Sequence, residues 1–251
     1  MSLFNDKLKK ITLEEVLSLI VGLYVIHYFI IKFNIVNIDA IWIYVFVIFY
    51  FVFKLRNEIP SLGEDISQLF KLNLLKTIFL VVILNIFLSY GMLYLADFIL
   101  NIFTVNFSMA SYSILSSSLL TIVVVAPISE ELIFRGVFLN RLKLFIPLMF
   151  SVLVSSVFFA SLHSFGSIFS AFIFAICVSF LYLKTDNIVV PIFAHFLNNL
   201  FAEIIIVLDS SNVLFNNTLV IIVMSILAVI SFALIVMSII PELKNINNKD
   251  L

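Results

Sequence analysis

Charge is scarce in this chain. Asp, Glu, Lys and Arg make up 12% of its 251 residues, against about 25% in an ordinary soluble domain. Mean hydropathy is +1.25. So few charges exclude a soluble globular domain, and the length leaves no room for a separate one beside several membrane spans. Cys177 is the single cysteine, which excludes an intrachain disulfide; in its apolar run it reads as a buried, inert thiol. Five glycines are too few for GxxxG-type helix packing, and none builds a phosphate-cradling loop. No basic patch is present, so a nucleic-acid partner is not expected. Inverted repeats and Gly/Pro-broken helices in matching halves are missing as well, which argues against a transporter.

What is present is apolar helix. Runs at 16–31, 36–53, 75–96, 114–128 continuing through the segment that follows, 147–162, 168–183, 188–208 and 219–240 predict an all-α polytopic membrane protein with about eight transmembrane helices. Several fall short of the ~20 residues of a full span. The first run follows Lys7, Lys9 and Lys10 but precedes no small-residue cleavage site, so it reads as an uncleaved first helix. Charge placement tests the count independently. With eight spans, all of the 14 Lys and Arg except Lys32 fall on one side. By the positive-inside rule that side is cytosolic and holds both termini, and the expected location is the cell membrane. Three regions are expected: 1–115, N-terminal helices with a cytosolic loop; 116–210, a core that carries most of the intramembrane polar residues; and 211–251, a last helix and tail. The 54–76 loop, with Pro60 and Gly63 and mixed charge, suits a short amphipathic surface helix.

The few intramembrane polar residues are patterned. EELIFRG places Glu130, Glu131 and Arg135 in or beside an apolar helix, where each charge costs roughly 2.5–3.5 kcal/mol at the bilayer centre. Glu131 and Arg135 are four apart and can pair along the helix. His163 follows Phe159 by four residues, and Asn199 follows His195 by four, which gives the latter two a joint polar edge. Counting ~1.5 Å per residue from Arg141 and Lys184 puts Glu130 and His195 roughly 16 Å deep. His163 matches that depth only if 144–149 lies along the interface, with Pro147 at the bend. Blander readings cover the rest. His27, beside Tyr24 and Tyr28, suits a helix-packing hydrogen bond; Glu203 suits the outer surface; residues 116–118, three serines, suit close packing. Glu130 and Glu131 alone would suit an acidic interfacial cluster, and His195 with Asn199 would suit interhelical glue.

Together the patterns EExxxR, FxxxH and HxxxN, in that order at Glu130-Glu131-Arg135, Phe159-His163 and His195-Asn199, resemble the CPBP family. That family comprises type II CAAX prenyl proteases and the bacterial intramembrane proteases and bacteriocin-immunity proteins grouped with them as the Abi family. The resemblance covers Ser129 to Asn199.

It implies peptide-bond hydrolysis within the membrane. Two neighbouring carboxylates repel in low dielectric, so one is expected to exchange protons as base and then acid. Glu130 is the expected base, His163 helps hold the water, and His195 and Asn199 donate to the oxyanion. Glu131 stands with the catalytic group but reads, like Arg135, as positioning; Phe159 is cavity wall. A rival mechanism uses a divalent metal such as zinc on Glu130, His163 and His195. HExxH, which would argue for zinc from spacing alone, is absent. The expected partner, besides the bilayer, is a membrane-associated peptide or protein substrate, a leader or signalling peptide rather than a prenylated protein. The alternative is a non-enzymatic immunity or scaffold protein that binds a peptide.

Overall fold

A computed structural model describes residues 2–35, 40–102, 119–163, 167–209 and 211–247, the side chains of Asn101 and of residues 242–247 excepted. Among these residues the chain is helical throughout, with no strand. A short α1 (Leu3–Leu8) precedes α2 (Leu13–Lys32) and α3 (Ile41–Lys54). A 3-10 turn (Ile59–Ser61) leads into α4 (Leu62–Leu69), the helix expected in the 54–76 loop, and then comes the long α5 (Leu72–Ile102). The motif helix, residues 119–142, contains α6 (Ala126–Glu131) and α7 (Leu139–Leu142) joined by wide-turn segments described below. After it come α8 (Leu148–Ser161), α9 (Ile168–Thr185), α10 (Val189–Leu208), the short α11 (Val213–Asn216) and α12 (Thr218–Asn247).

All eight expected runs are helices, and five of them (α2, α5, α9, α10 and α12) are long and apolar enough to cross a membrane unaided. The expected starts of the second run at Val36 and of the fourth at Ile114, and the serines at 116–118, lie outside the described residues. α3 and α8, with 14 residues each, reach only about 21 Å at ~1.5 Å per residue, short of a ~30 Å hydrocarbon core. The bend expected at Pro147 is there. Pro147 is the extended residue before α8, which begins at Leu148, so the break from helix spans 143–147 rather than 144–149.

Burial sorts the helices. Two-thirds of the α9 window (67%) is enclosed by protein, against 11% of α2 and 17% of the α12 span. α9 is therefore the axis around which α5, α8 and α10 pack, and α12 closes against the outer side of α5. Large apolar side chains such as Phe49, Leu80, Ile222 and Val229 remain exposed, as they do when the solvent is lipid. Apolar area does not drive helix association there, so small residues and polar contacts must. Gly91 answers to the first need: a Cβ on it would stand 2.2 Å from that of Ala228 on α12. A close helix approach thus exists without any GxxxG repeat. Trp42 Nε1 donates to His27 Nδ1 over 3.1 Å, the helix-packing bond expected of that histidine.

The segments that the eight-span count assigns to one side do meet at one end of the bundle. α1, which hydropathy does not reveal, wedges Phe4 and Leu8 into the core there, Leu8 filling the space over Gly136. Ser2 Oγ and Asn5 Nδ2 donate to Asp65 Oδ2 at 2.5 and 2.8 Å, and Asn187 Nδ2 donates to the Asp65 carbonyl. The Ile188 amide donates to Asn5 Oδ1, Arg141 Nε donates to the Ile11 carbonyl, and Lys9 pairs with Asp186. Burial holds the Asp65 carboxyl above its ordinary range against the opposing pull of the Ser2 and Asn5 donors. At the far end, Tyr94 Oη donates to the Leu214 carbonyl, joining the exit of α5 to the entry of α12.

Candidate active site

Pro127 begins the story of the site. In an unbroken helix it would lack an amide for the carbonyl four residues back and its ring would collide with that carbonyl. The chain answers by widening: residues Thr121–Val125 form a π segment in which the Ala126 amide reaches the Thr121 carbonyl. The next bond of that series would run from residue 127 to Ile122, and proline has no amide to give. Asn199 fills the gap, donating from Nδ2 to the Ile122 carbonyl at 2.9 Å. A second π segment, Leu132–Phe138, ends with the Leu139 amide on the Phe134 carbonyl, which skips the Arg135 carbonyl as the helix returns to α spacing. Asn140 Nδ2 fills that gap at 2.8 Å and also reaches the Gly136 carbonyl and Tyr182 Oη. Wide turns of this kind are rare and frequent at functional sites. Here two of them flank the paired glutamates.

Between the wide turns, Glu131 is fully buried. Its Oε1 accepts from Arg135 Nη1 and faces His195 Nδ1, both at 2.9 Å. Arg135, 1% exposed, also donates from Nη2 to the Ala175 carbonyl on α9 and lies over the Phe159 ring, 4.5 Å from its centroid. That ring meets His163 at 4.9 Å and His195 at 5.6 Å, and Phe174 presents its edge to the other side of His195. Phe159 is thus the hub on which the arginine and both histidines rest. Glu130 points elsewhere from its neighbour. It keeps some exposure, 13% of its side chain, and its Oε2 stands 4.0 Å from His195 Nε2. That separation is wider than a direct hydrogen bond. Two buried oxygens nearby in sequence, Glu131 Oε2 and Ser129 Oγ, have no protein partner among the described residues.

The three motifs therefore meet through Glu131, Arg135, Phe159 and His195, with Glu130 alongside. Both histidines hold their Nδ1 against an oxygen that accepts: Glu131 for His195, and the Phe159 carbonyl at 3.1 Å for His163. This puts the proton on Nδ1 and leaves Nε2 with a lone pair in the neutral ring. His195 can then donate to an oxyanion from Nε2 only as imidazolium, which narrows the role expected of it. Asn199 has one of its two amide hydrogens already on Ile122. His195 also sits nearer the end of its helix than the sequence count implies. α10 begins at Val189, after Asp186 turns left-handed, so the rise to His195 is about 9 Å rather than 16 Å.

Donor chemistry at Nε2 suits metal ligation. Yet among the described residues no three His, Cys, Asp or Glu side chains form a group able to hold a metal ion.

Sequence reading missed Asn85, Asn198, Asn140 and Tyr182. Asn85 Nδ2 on α5 donates to Asn198 Oδ1, and Asn198 Nδ2 reaches Asn199 Oδ1 at 3.4 Å. An asparagine in the middle of the apolar α5, and the doubled asparagine after His195, were the available signals.

Residues 112–201 match the sequence model of a family described as type II CAAX prenyl endopeptidase Rce1-like. The segment with the three motifs is thus similar to a protease domain, in keeping with the CPBP resemblance. The match supports an intramembrane endopeptidase in general. No curated protein and no solved structure matches the chain.

Proposed function

We propose that this protein hydrolyses a peptide bond of a membrane-associated protein or of a leader or signalling peptide, with Glu130 as general base. The observation that carries the reading is the division of labour between adjacent glutamates. Glu131 is sealed between Arg135 and His195, while Glu130 faces His195 Nε2 across 4.0 Å and retains access. A water between them would give one proton to Glu130 and hydrogen-bond to Nε2, so its remaining lone pair is aimed at a carbonyl. Glu130 would then pass the proton to the departing amine. Glu131 and Arg135 set the tautomer and tilt of His195, Phe159 supports the rings, His163 borders the water, and Asn199 supplies its second hydrogen to the oxyanion. By the distribution of lysine and arginine, both termini face the cytosol; reporter fusions showing either terminus outside would overturn that orientation.

Incubating purified wild type and Glu130→Ala with a peptide library, read by mass spectrometry, tests the function. Products from wild type alone support it. Peptide retained but uncut by both would establish the non-enzymatic binding protein instead. The metal reading keeps one specific support, the free Nε2 of both histidines. Stoichiometric zinc in the purified protein, lost with His163→Ala and His195→Ala, would favour it.

A further inference from the structure

Away from the glutamates, two cavities share one lysine. The larger, about 610 Å³, is lined by Gln68, Lys71, Leu72, Asn73, Leu74, Lys184 and Thr185, at the junction of α4, the first turn of α5 and the end of α9. The smaller, about 110 Å³, runs beside Val81, Cys177, Phe180, Leu181 and Ile239, with Thr77, Ser238 and Lys184 at its edge. One chamber is polar and carries two cations; the other is an apolar cleft between α5, α9 and α12.

We propose that this pair of cavities is a binding site for an anionic glycerophospholipid. The phosphate is placed between Lys71 and Lys184, and the first few methylenes of one acyl chain enter the cleft. Charge and shape complementarity carry the assignment. A lipid is the one membrane component with an anionic head joined directly to an apolar chain, and the shared Lys184 marks where the two must join. Gln68 and Asn73 suit headgroup hydroxyls. The cavities lie at the end of the bundle where lysine and arginine gather, the position at which basic pockets between membrane helices take up anionic headgroups. A zwitterionic lipid has the same chain but no net charge, so selectivity is the signature.

Native mass spectrometry of the full chain in detergent, with phosphatidylglycerol and phosphatidylcholine of identical chains, tests this. Phosphatidylglycerol is expected to bind on the order of tenfold more tightly. Lys71→Gln with Lys184→Gln should abolish the preference. Lys10→Gln with Lys54→Gln, charge-matched and lining neither cavity, should leave it intact. Thr77→Trp, which narrows the cleft from an exposed position, should weaken phosphatidylglycerol without altering charge. Equal binding of the two lipids, loss of preference in the control pair, or undiminished binding by Thr77→Trp would each overturn the proposal. So would displacement by millimolar inorganic phosphate, which would mark a free-phosphate site. Glu130→Gln should bind lipid as wild type does, so failure here and failure of the proposed hydrolysis are read separately.

Discussion

α9 and α12 have similar composition and opposite fates. Both are apolar, and α12 is the more hydrophobic, with a mean hydropathy of 3.2 over its span against 2.0 for α9. Yet α9 is enclosed by protein and α12 by lipid. In water the more apolar helix would go inside. In a bilayer lipid tails solvate apolar side chains as well as protein does, so the interior goes to the helix with the most to offer neighbouring helices. α9 offers buried Ser170 and Ser179, Ala171 and Ala175, and a backbone carbonyl at Ala175 for Arg135. α12 buries fewer positions, Ala228 where Gly91 meets it, with Ser231 and Ile235.

If the enclosed region carries chemistry and the outer one only packing, substitutions should divide accordingly. The largest effect is expected at Glu130→Gln, which keeps size but cannot take a proton. Turnover should fall roughly 100- to 10,000-fold with melting temperature unchanged. Retained turnover would move the base to Glu131.

Arg135→Ala should destabilise the fold by about 3–5 kcal/mol, because Glu131 is left as a buried charge without its partner. Denaturant unfolding in detergent measures it, and a loss under 1 kcal/mol would show the pair to be dispensable. Asn199→Ala should slow kcat by about a hundredfold with KM little changed if its second hydrogen serves the oxyanion. If it only completes the helix at Pro127, the effect should instead be a stability loss of ~0.6 kcal/mol with near-normal kcat. The two assays on one variant separate these outcomes.

In the outer region, Gly91→Leu should cost about 1–3 kcal/mol through overpacking against Ala228. kcat per folded molecule should stay as in wild type. A changed kcat would show that the α5–α12 contact reaches the site. Ile222→Leu, on the lipid-facing side of α12, should stay within about 0.5 kcal/mol.

Much of the architecture was legible in residue order because the bilayer imposes it: a run of apolar residues has no alternative to helix where backbone groups must pair within the segment. The distribution of lysine and arginine carried the expectation of an even number of spans. EExxxR, FxxxH and HxxxN were legible as polar exceptions in those runs. α1 was not, since six residues with mixed polarity carry no hydropathy signal and are held by Asp65, Ile188 and Leu8's seat over Gly136.

The tertiary structure alone decided how the motif residues are placed against one another. Adjacent Glu130 and Glu131 are chemically equal in the sequence. They differ only because Arg135, His195 and Phe159, from three helices, converge on one of them and leave the other accessible. Asn199 likewise reads as a partner of His195 by spacing. Its contact with Ile122 exists because Pro127, 72 positions earlier, withholds an amide that another helix must replace. Local order dictates which groups are present; which of them face each other depends on helix packing, where a bilayer supplies no hydrophobic preference and individual hydrogen bonds decide.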